Sequence, residues 1–196
     1  MPLDTTTIGL TVAAVVLAIT LILVVRKRKS AEHSARFRRV SKAFMSHFLV
    51  PDGEGGEIHI EYAMLCPRGI VIVDVKDVAG NIFGSDSMED WAVITGKQRF
   101  TFSNPQPGLF DRTAAIKRMV PDVPVVGYIA FTEQGAFNKG RPTHVIGLEE
   151  LIGELKTEHN QKNAAPDAYW PSWEQLRNTA VVTQVGKLVE GKTDRP

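Results

Sequence analysis

Eighteen consecutive residues without a charge, IGLTVAAVVLAITLILVV from Ile8 to Val25, dominate the hydrophobic pattern. At about 1.5 Å per residue they make a helix of roughly 27 Å, against a bilayer hydrocarbon core of about 30 Å. The pattern predicts a transmembrane helix over 8–25 and a short extracytoplasmic N-terminus over 1–7. Beyond it, Phe37, Val40, Phe44 and Phe48 recur at helical spacing and predict a helix over Ala31 to Phe48. Pro51-Asp52-Gly53-Glu54-Gly55-Gly56 ends that helix. It reads as a loop, since the Lys-Ser/Thr pair and following helix of a phosphate cradle are missing.

The next two runs, Ile58 to Leu65 and Ile70 to Lys76, are rich in β-branched residues, with Pro67-Arg68-Gly69 between them. They predict a β-hairpin. With Pro67 and Arg68 as the loop, Leu65 opposes Ile70, Ala63 opposes Ile72 and Glu61 opposes Asp74. Side chains alternate, so Lys76 and His59 join the Glu61 and Asp74 face, while Ile58, Ile60, Tyr62, Met64, Val71, Val73 and Val75 form an apolar core face. Opposed carboxylates repel across a strand pair, so this pairing calls for a cation between them or a bulge at Gly69 that shifts the register.

Further along, Gly80 to Gly84 turns into a short strand that continues the same sheet, with more strands over Trp91 to Ile94 and Gln98 to Phe102. Leu109 to Val120 reads as a helix, Val123 to Phe131 as a buried strand, His144 to Ile146 as a short strand and Leu148 to Lys156 as a helix. A polar linker over 157–171 precedes an amphipathic helix over 172–191, opened by Ser172 with Gln175 three residues on and carrying Trp173, Leu176, Ala180, Val181 and Leu188 on one side. This order predicts an α/β domain over 35–156 with a mixed sheet flanked by helices.

Charge orients the anchor. Arg26-Lys27-Arg28-Lys29 follow the apolar run, in a basic juxtamembrane segment over 26–34, and no Lys or Arg precedes it. The positive-inside rule then puts a single-pass chain in the cell membrane with its N-terminus outside and its C-terminal domain in the cytoplasm. Cations placed after rather than before the run also argue against a cleaved signal. Setting aside those four cations and Asp4 leaves 19 Lys and Arg against 21 Asp and Glu, a charge of about −2. That excludes a broad electrostatic nucleic-acid footprint. Arg36, Arg38, Arg39 and Lys42, and a later group including Lys97, Arg99, Arg112, Lys117 and Arg118, read as solvated helix faces or, for the first group, a lipid contact. Cys66 is the only cysteine, which excludes a disulfide framework and a Cys-based metal site. It reads as a small packed residue, and Trp91 as core.

Taken together, GIVIVDVKDVAGNIFG, Trp91, Phe102-Ser103-Asn104-Pro105, VVGYIAFTEQGAF and HVIGLEELIGEL resemble, in order and spacing, the nuclease-related domain (NERD) family over roughly residues 31 to 156. The family is grouped with the PD-(D/E)xK nucleases, so the resemblance implies a restriction-endonuclease-like fold and a magnesium-dependent nuclease site. Carried over by position, Glu61 stands where the family usually has Asp, Asp74 where it usually has Glu, and Lys76 matches directly. The family's Gly-Glu pair on its first helix falls near Ala35-Arg36, with Glu32 the nearest acid.

The catalytic group expected is Glu61, Asp74 and Lys76, with Mg²⁺ held by Glu61, Asp74 and the Val75 carbonyl. All three ligands are hard oxygens, as Mg²⁺ requires. The competing reading of the same residues is a cross-strand salt bridge. The expected activity is phosphodiester hydrolysis on nucleic acid, DNA ahead of RNA, at the cytoplasmic side of the membrane. The alternative is a catalytically silent nuclease-fold module that binds nucleic acid or a protein partner at the membrane; a homodimer is compatible with either.

Overall fold

A computed structural model describes residues 5–161 and 165–182, and of residues 5–12, 181 and 182 the backbone alone. The chain divides after Arg36 into two compact units. The first is carried by helix α1, Thr5–Arg39, whose large side chains stand in solvent: Leu17 is 71% exposed and Leu21 63%. Among the described residues no helix is long and apolar enough to cross a membrane. Residues 8–12 of the expected span lie outside the described side chains, and the described part of the run, from Ala13 to Val25, is followed directly by the cations Arg26 to Lys29.

The second unit is mixed α/β, with two mixed sheets flanked by helices, an arrangement compatible with a nuclease-like fold. Its main sheet contains β1 (Ala43–Pro51), β2 (Glu57–Cys66), β3 (Gly69–Lys76), β7 (Val125–Phe131), β9 (Val145–Gly147) and β10 (Val181–Val182). The order is β10-β1-β2-β3-β7-β9, antiparallel from β10 to β3 and parallel from β3 to β9. Helices α2 (Gln106–Met119) and α5 (Trp170–Thr179) cover one face, where Ala115, Ile116, Trp173 and Leu176 bury against Ala63, Leu65, Ile70 and Ile72. On the other face α3 (Leu148–Asn160) packs Leu151 and Leu155 against Tyr62, Met64, Val71 and Val73, beside Phe37 and Val40. Each fully buried aliphatic side chain contributes about 1.5–3 kcal/mol. Both faces of this sheet are therefore core.

Several expectations are corrected. The helix expected over Ala31 to Phe48 stops at Arg39, and Ala43–Pro51 is a strand, because pairing along β2 from Ala43–Leu65 to Pro51–Glu57 outweighs a spacing of phenylalanines that mimics a helix. The strands β4 (Gly80–Phe83), β5 (Asp90–Thr95) and β6 (Gln98–Ser103) do not continue the main sheet. With β8 (Gly135–Ala136) they form a second sheet, β6-β5-β4-β8, whose Ile82, Trp91 and Val93 close a core with Leu109, Ile129 and Phe131. The expected linker is mostly helical: α3 runs to Asn160, and α4, Ala165–Ala168, precedes α5. The final helix ends at Thr179, Val181 pairs with Leu49 as part of β10, and Leu188 lies outside the described residues.

The hairpin register agrees with the sequence reading: Leu65 pairs with Ile70, Ala63 with Ile72 and Cys66 with Gly69, leaving Pro67 and Arg68 as the loop. Gly69 makes no bulge. Its φ of 116° and its closeness to Pro124, whose carbonyl oxygen would lie 2.1 Å from an added Cβ, admit glycine alone. The faces of β2 differ from expectation upstream. His47, opposite Glu61 by count, has φ 51° and drops out of the β1–β2 ladder between Ser46–Tyr62 and Phe48–Ile60. Alternation flips there, so Ile58 and Ile60 pack with Ala63 and Leu65 rather than with Tyr62 and Met64. His59 leaves the expected face with them: its ring stacks on His47 at 5.6 Å, and His47 meets the edge of Tyr62.

Candidate active site

The β2–β3 ladder ends at Tyr62–Val73, yet both strands run on, β2 paired to β1 and β3 paired to β7. Glu61 and Asp74 are the first residues beyond that end. They stand at the mouth of a fork between two strands of one sheet.

Two side chains stitch the fork. Oε2 of Glu61 accepts the backbone N–H of Val75 at 3.1 Å, replacing a strand-to-strand bond with a carboxylate. Arg112, on α2, donates from Nε to the His59 carbonyl of β2 at 2.9 Å and places Nη1 3.1 Å from Oδ2 of Asp74 on β3. Helix α2 comes this close because Gly127 of β7 has no side chain: an added Cβ would stand 2.6 Å from Thr113 Oγ1 and 2.9 Å from Leu109. The N–H and C=O of one strand residue point to the same edge, so the Val75 carbonyl is directed toward β2 with its N–H. The Lys76 carbonyl points the other way and accepts from Thr132 of the segment after β7.

The electrostatics are those of two carboxylates held close under partial burial. Asp74 is buried, its side chain 4% exposed, and the Arg112 side chain is 26% exposed. Burial pushes the Glu61 carboxyl up to about 7; the negative charge of Asp74 adds to this, while the Val75 N–H, Lys76 and Arg112 oppose it. Glu61 thus gains and loses a proton near neutrality. Burial also lowers the pKa of His59, helped by His47 and Arg112, so that its ring favours the neutral form.

Of the expected site residues, the structure brings Glu61, Val75 and Asp74 together at the fork, with Lys76 within electrostatic reach of Glu61. Glu32 stands on α1 in the other unit. Among the described residues no group of three or more His, Cys, Asp or Glu is placed to hold a metal ion. Two carboxylates and one carbonyl nevertheless fit Mg²⁺ chemically, since that ion commonly takes one or two carboxylates and keeps several waters.

Arg112 is the residue that the sequence reading assigned to a solvated face. Helical periodicity places it on α2 but cannot tell which strand the helix crosses. Gly84 has the Trp91 indole within 2.4 Å of where a Cβ would stand, a packing role, and both Trp91 and Cys66 are fully buried, as expected. Burial raises the Cys66 thiol to about 12, which removes it as a nucleophile.

The fold is a mixed α/β domain with charged side chains at the fork of its central sheet, and the sequence over residues 27–132 matches the family model of the nuclease-related domain. That match takes in more than half of the 196 residues, and the chain belongs to the nuclease-related domain (NERD) family. No curated protein matches the chain, and no solved structure does.

Proposed function

We propose that this chain is a membrane-tethered, Mg²⁺-dependent nuclease of PD-(D/E)xK type, with a restriction-endonuclease-like domain on the cytoplasmic side. The observation that carries the reading is the fork: Glu61 and Asp74 come together where the β2–β3 ladder ends, and Lys76 follows two residues on.

Glu61, Asp74 and the Val75 carbonyl are the groups that would hold Mg²⁺, which when bound supplies positive charge to a phosphate oxygen. Lys76 orients the attacking water and offsets negative charge developing on the phosphate. Glu61, ionising near neutrality, binds a cation more strongly once deprotonated, so ligand affinity and local proton balance are linked. The substrate is nucleic acid, DNA ahead of RNA.

The tether is supported by the uncharged run from Ile8 to Val25, by the exposed apolar side chains from Val15 to Val25, and by Arg26 to Lys29 after them. Lipid is the environment that would remove such a surface from water.

A second reading has its own observation. Arg112 already neutralises Asp74, as the lysine of a silent site would, and this favours a module that binds nucleic acid or a protein partner without cutting. Incubating the full chain in detergent with linear, circular and single-stranded DNA and with RNA, with and without Mg²⁺, separates the two. Mg²⁺-dependent cleavage that disappears in Asp74→Asn supports the nuclease. Absence of both cleavage and metal binding leaves the silent module.

A further inference from the structure

Arg112 is held too specifically for a solvated helix cation. It bridges two strands that no longer bond each other, taking a backbone carbonyl on one and a buried carboxylate on the other. One turn earlier on the same helix, where a residue shares its face, stands Gly108. A Cβ there would lie 2.9 Å from Arg112 Nη1, the nitrogen that meets Asp74. Glycine inside a helix costs about 1 kcal/mol relative to alanine. Here it leaves open the path by which the guanidinium reaches Asp74.

We propose that Arg112 is the resident counter-cation of Asp74 in the metal-free chain and a phosphate-binding residue in the loaded one. The inference rests on the metal-site reading above. A divalent cation and a guanidinium compete for the negative charge of one carboxylate, so a metal ion on Asp74 weakens the hold of Arg112 on its Oδ2. An arginine released at the fork keeps its charge and its planar set of donors, the chemistry that recognises a phosphodiester oxygen. With Glu61 and Asp74 engaged by a divalent ion, Arg112 and Lys76 are then the cations left to attract an anionic substrate.

Calorimetric titration of the full chain in detergent micelles with Mn²⁺, then of the loaded protein with inorganic phosphate, tests this in wild type, Arg112→Gln and Gly108→Ala. Both variants are expected to bind Mn²⁺ about tenfold more tightly than wild type, because the competing charge-assisted bond is gone or displaced. A merely structural arginine gives the opposite sign. Phosphate affinity should fall about tenfold in Arg112→Gln and persist in Gly108→Ala, which keeps the guanidinium and improves the helix. Mn²⁺ binding confined to the variants also supports the proposal. Equal or weaker Mn²⁺ binding in both variants, or unchanged phosphate affinity in Arg112→Gln, overturns it while leaving the metal site standing. If no form takes up Mn²⁺, the metal-site reading falls and Arg112's role falls with it.

Discussion

The Glu61 carboxylate takes the Val75 N–H at 3.1 Å, one residue beyond the last bridge of the β2–β3 ladder, so a side chain does there what backbone does along the rest of the hairpin. That bond holds an acid whose ionisation the surroundings resist. A carboxyl in this position makes the stability of the fork depend on pH.

The sign of that dependence follows from the shift. Glu61 is raised from 4.5 to about 7, so the fold favours its protonated form. This contribution is complete below about 4.5 and is lost as pH climbs through about 7, at most roughly 3 kcal/mol in all. Wild type should therefore lose stability between pH 5 and 8, whereas Glu61→Gln, which keeps an acceptor for Val75, should show a flatter profile. Urea unfolding across that range measures it; parallel profiles would mean that Glu61 is not the titrating group. At pH 8 millimolar Mg²⁺ should raise the wild-type melting temperature and leave Glu61→Gln nearly unchanged.

Removing Asp74 strands Arg112 beside the His59 carbonyl with one partner fewer. Asp74→Ala is expected to cost about 1–3 kcal/mol in chemical denaturation. Any Mg²⁺-dependent cleavage should vanish in the same variant. Retained cleavage would exclude Asp74 from the site even if the loss of stability were as expected.

Gly127 sets how closely α2 approaches β7. In Gly127→Ala the new methyl group meets Thr113 and Leu109, and overpacking of this kind costs about 1–3 kcal/mol. The melting temperature should fall. Arg112 should lose part of its hold on Asp74 as the helix is pushed outward, and a variant as stable as wild type would show that the contact relaxes freely.

Arg68, in the hairpin loop, ties that turn to α3. Its guanidinium binds Glu158 through two nitrogens, reaches Glu154 at 3.0 Å and donates to the Tyr128 hydroxyl at 2.8 Å. Arg68→Ala should destabilise the domain by about 1–2 kcal/mol, more than an isolated surface ion pair would, because several charge-assisted bonds share one side chain. A change under about 0.5 kcal/mol by denaturant titration would reduce the cluster to surface decoration.

The tether has a direct test. Two arginines, at Leu17 and Leu21, each cost about 3 kcal/mol near a bilayer centre. The double variant should leave the membrane fraction after an alkaline wash that wild type withstands. Wild type found in the soluble fraction would end the tethered reading.

The hairpin could be read from the chain because its signals are local: Pro67-Arg68-Gly69 sets the loop, and the loop sets the register from Leu65–Ile70 to Ala63–Ile72. The first strand was hidden because Phe44 and Phe48 are spaced like a helix face, and only the partner strand decides their conformation. The flip at His47 was equally hidden. Nothing in the order of residues there announces a left-handed backbone at a histidine, yet it moves Ile58, Ile60 and His59 across the sheet.

By itself the sequence determined the family and the hairpin with its register from Leu65–Ile70 to Ala63–Ile72, since these depend on turn chemistry and on a period of two along a few residues. Tertiary structure alone decided that the ladder would open beyond Tyr62–Val73, that β4 to β6 would leave the main sheet, and that Arg112 would meet Asp74 across 38 residues of chain. Those outcomes depend on how closely a helix can pack on a strand and on which strand it crosses. Long-range packing sets both, and no local pattern encodes it.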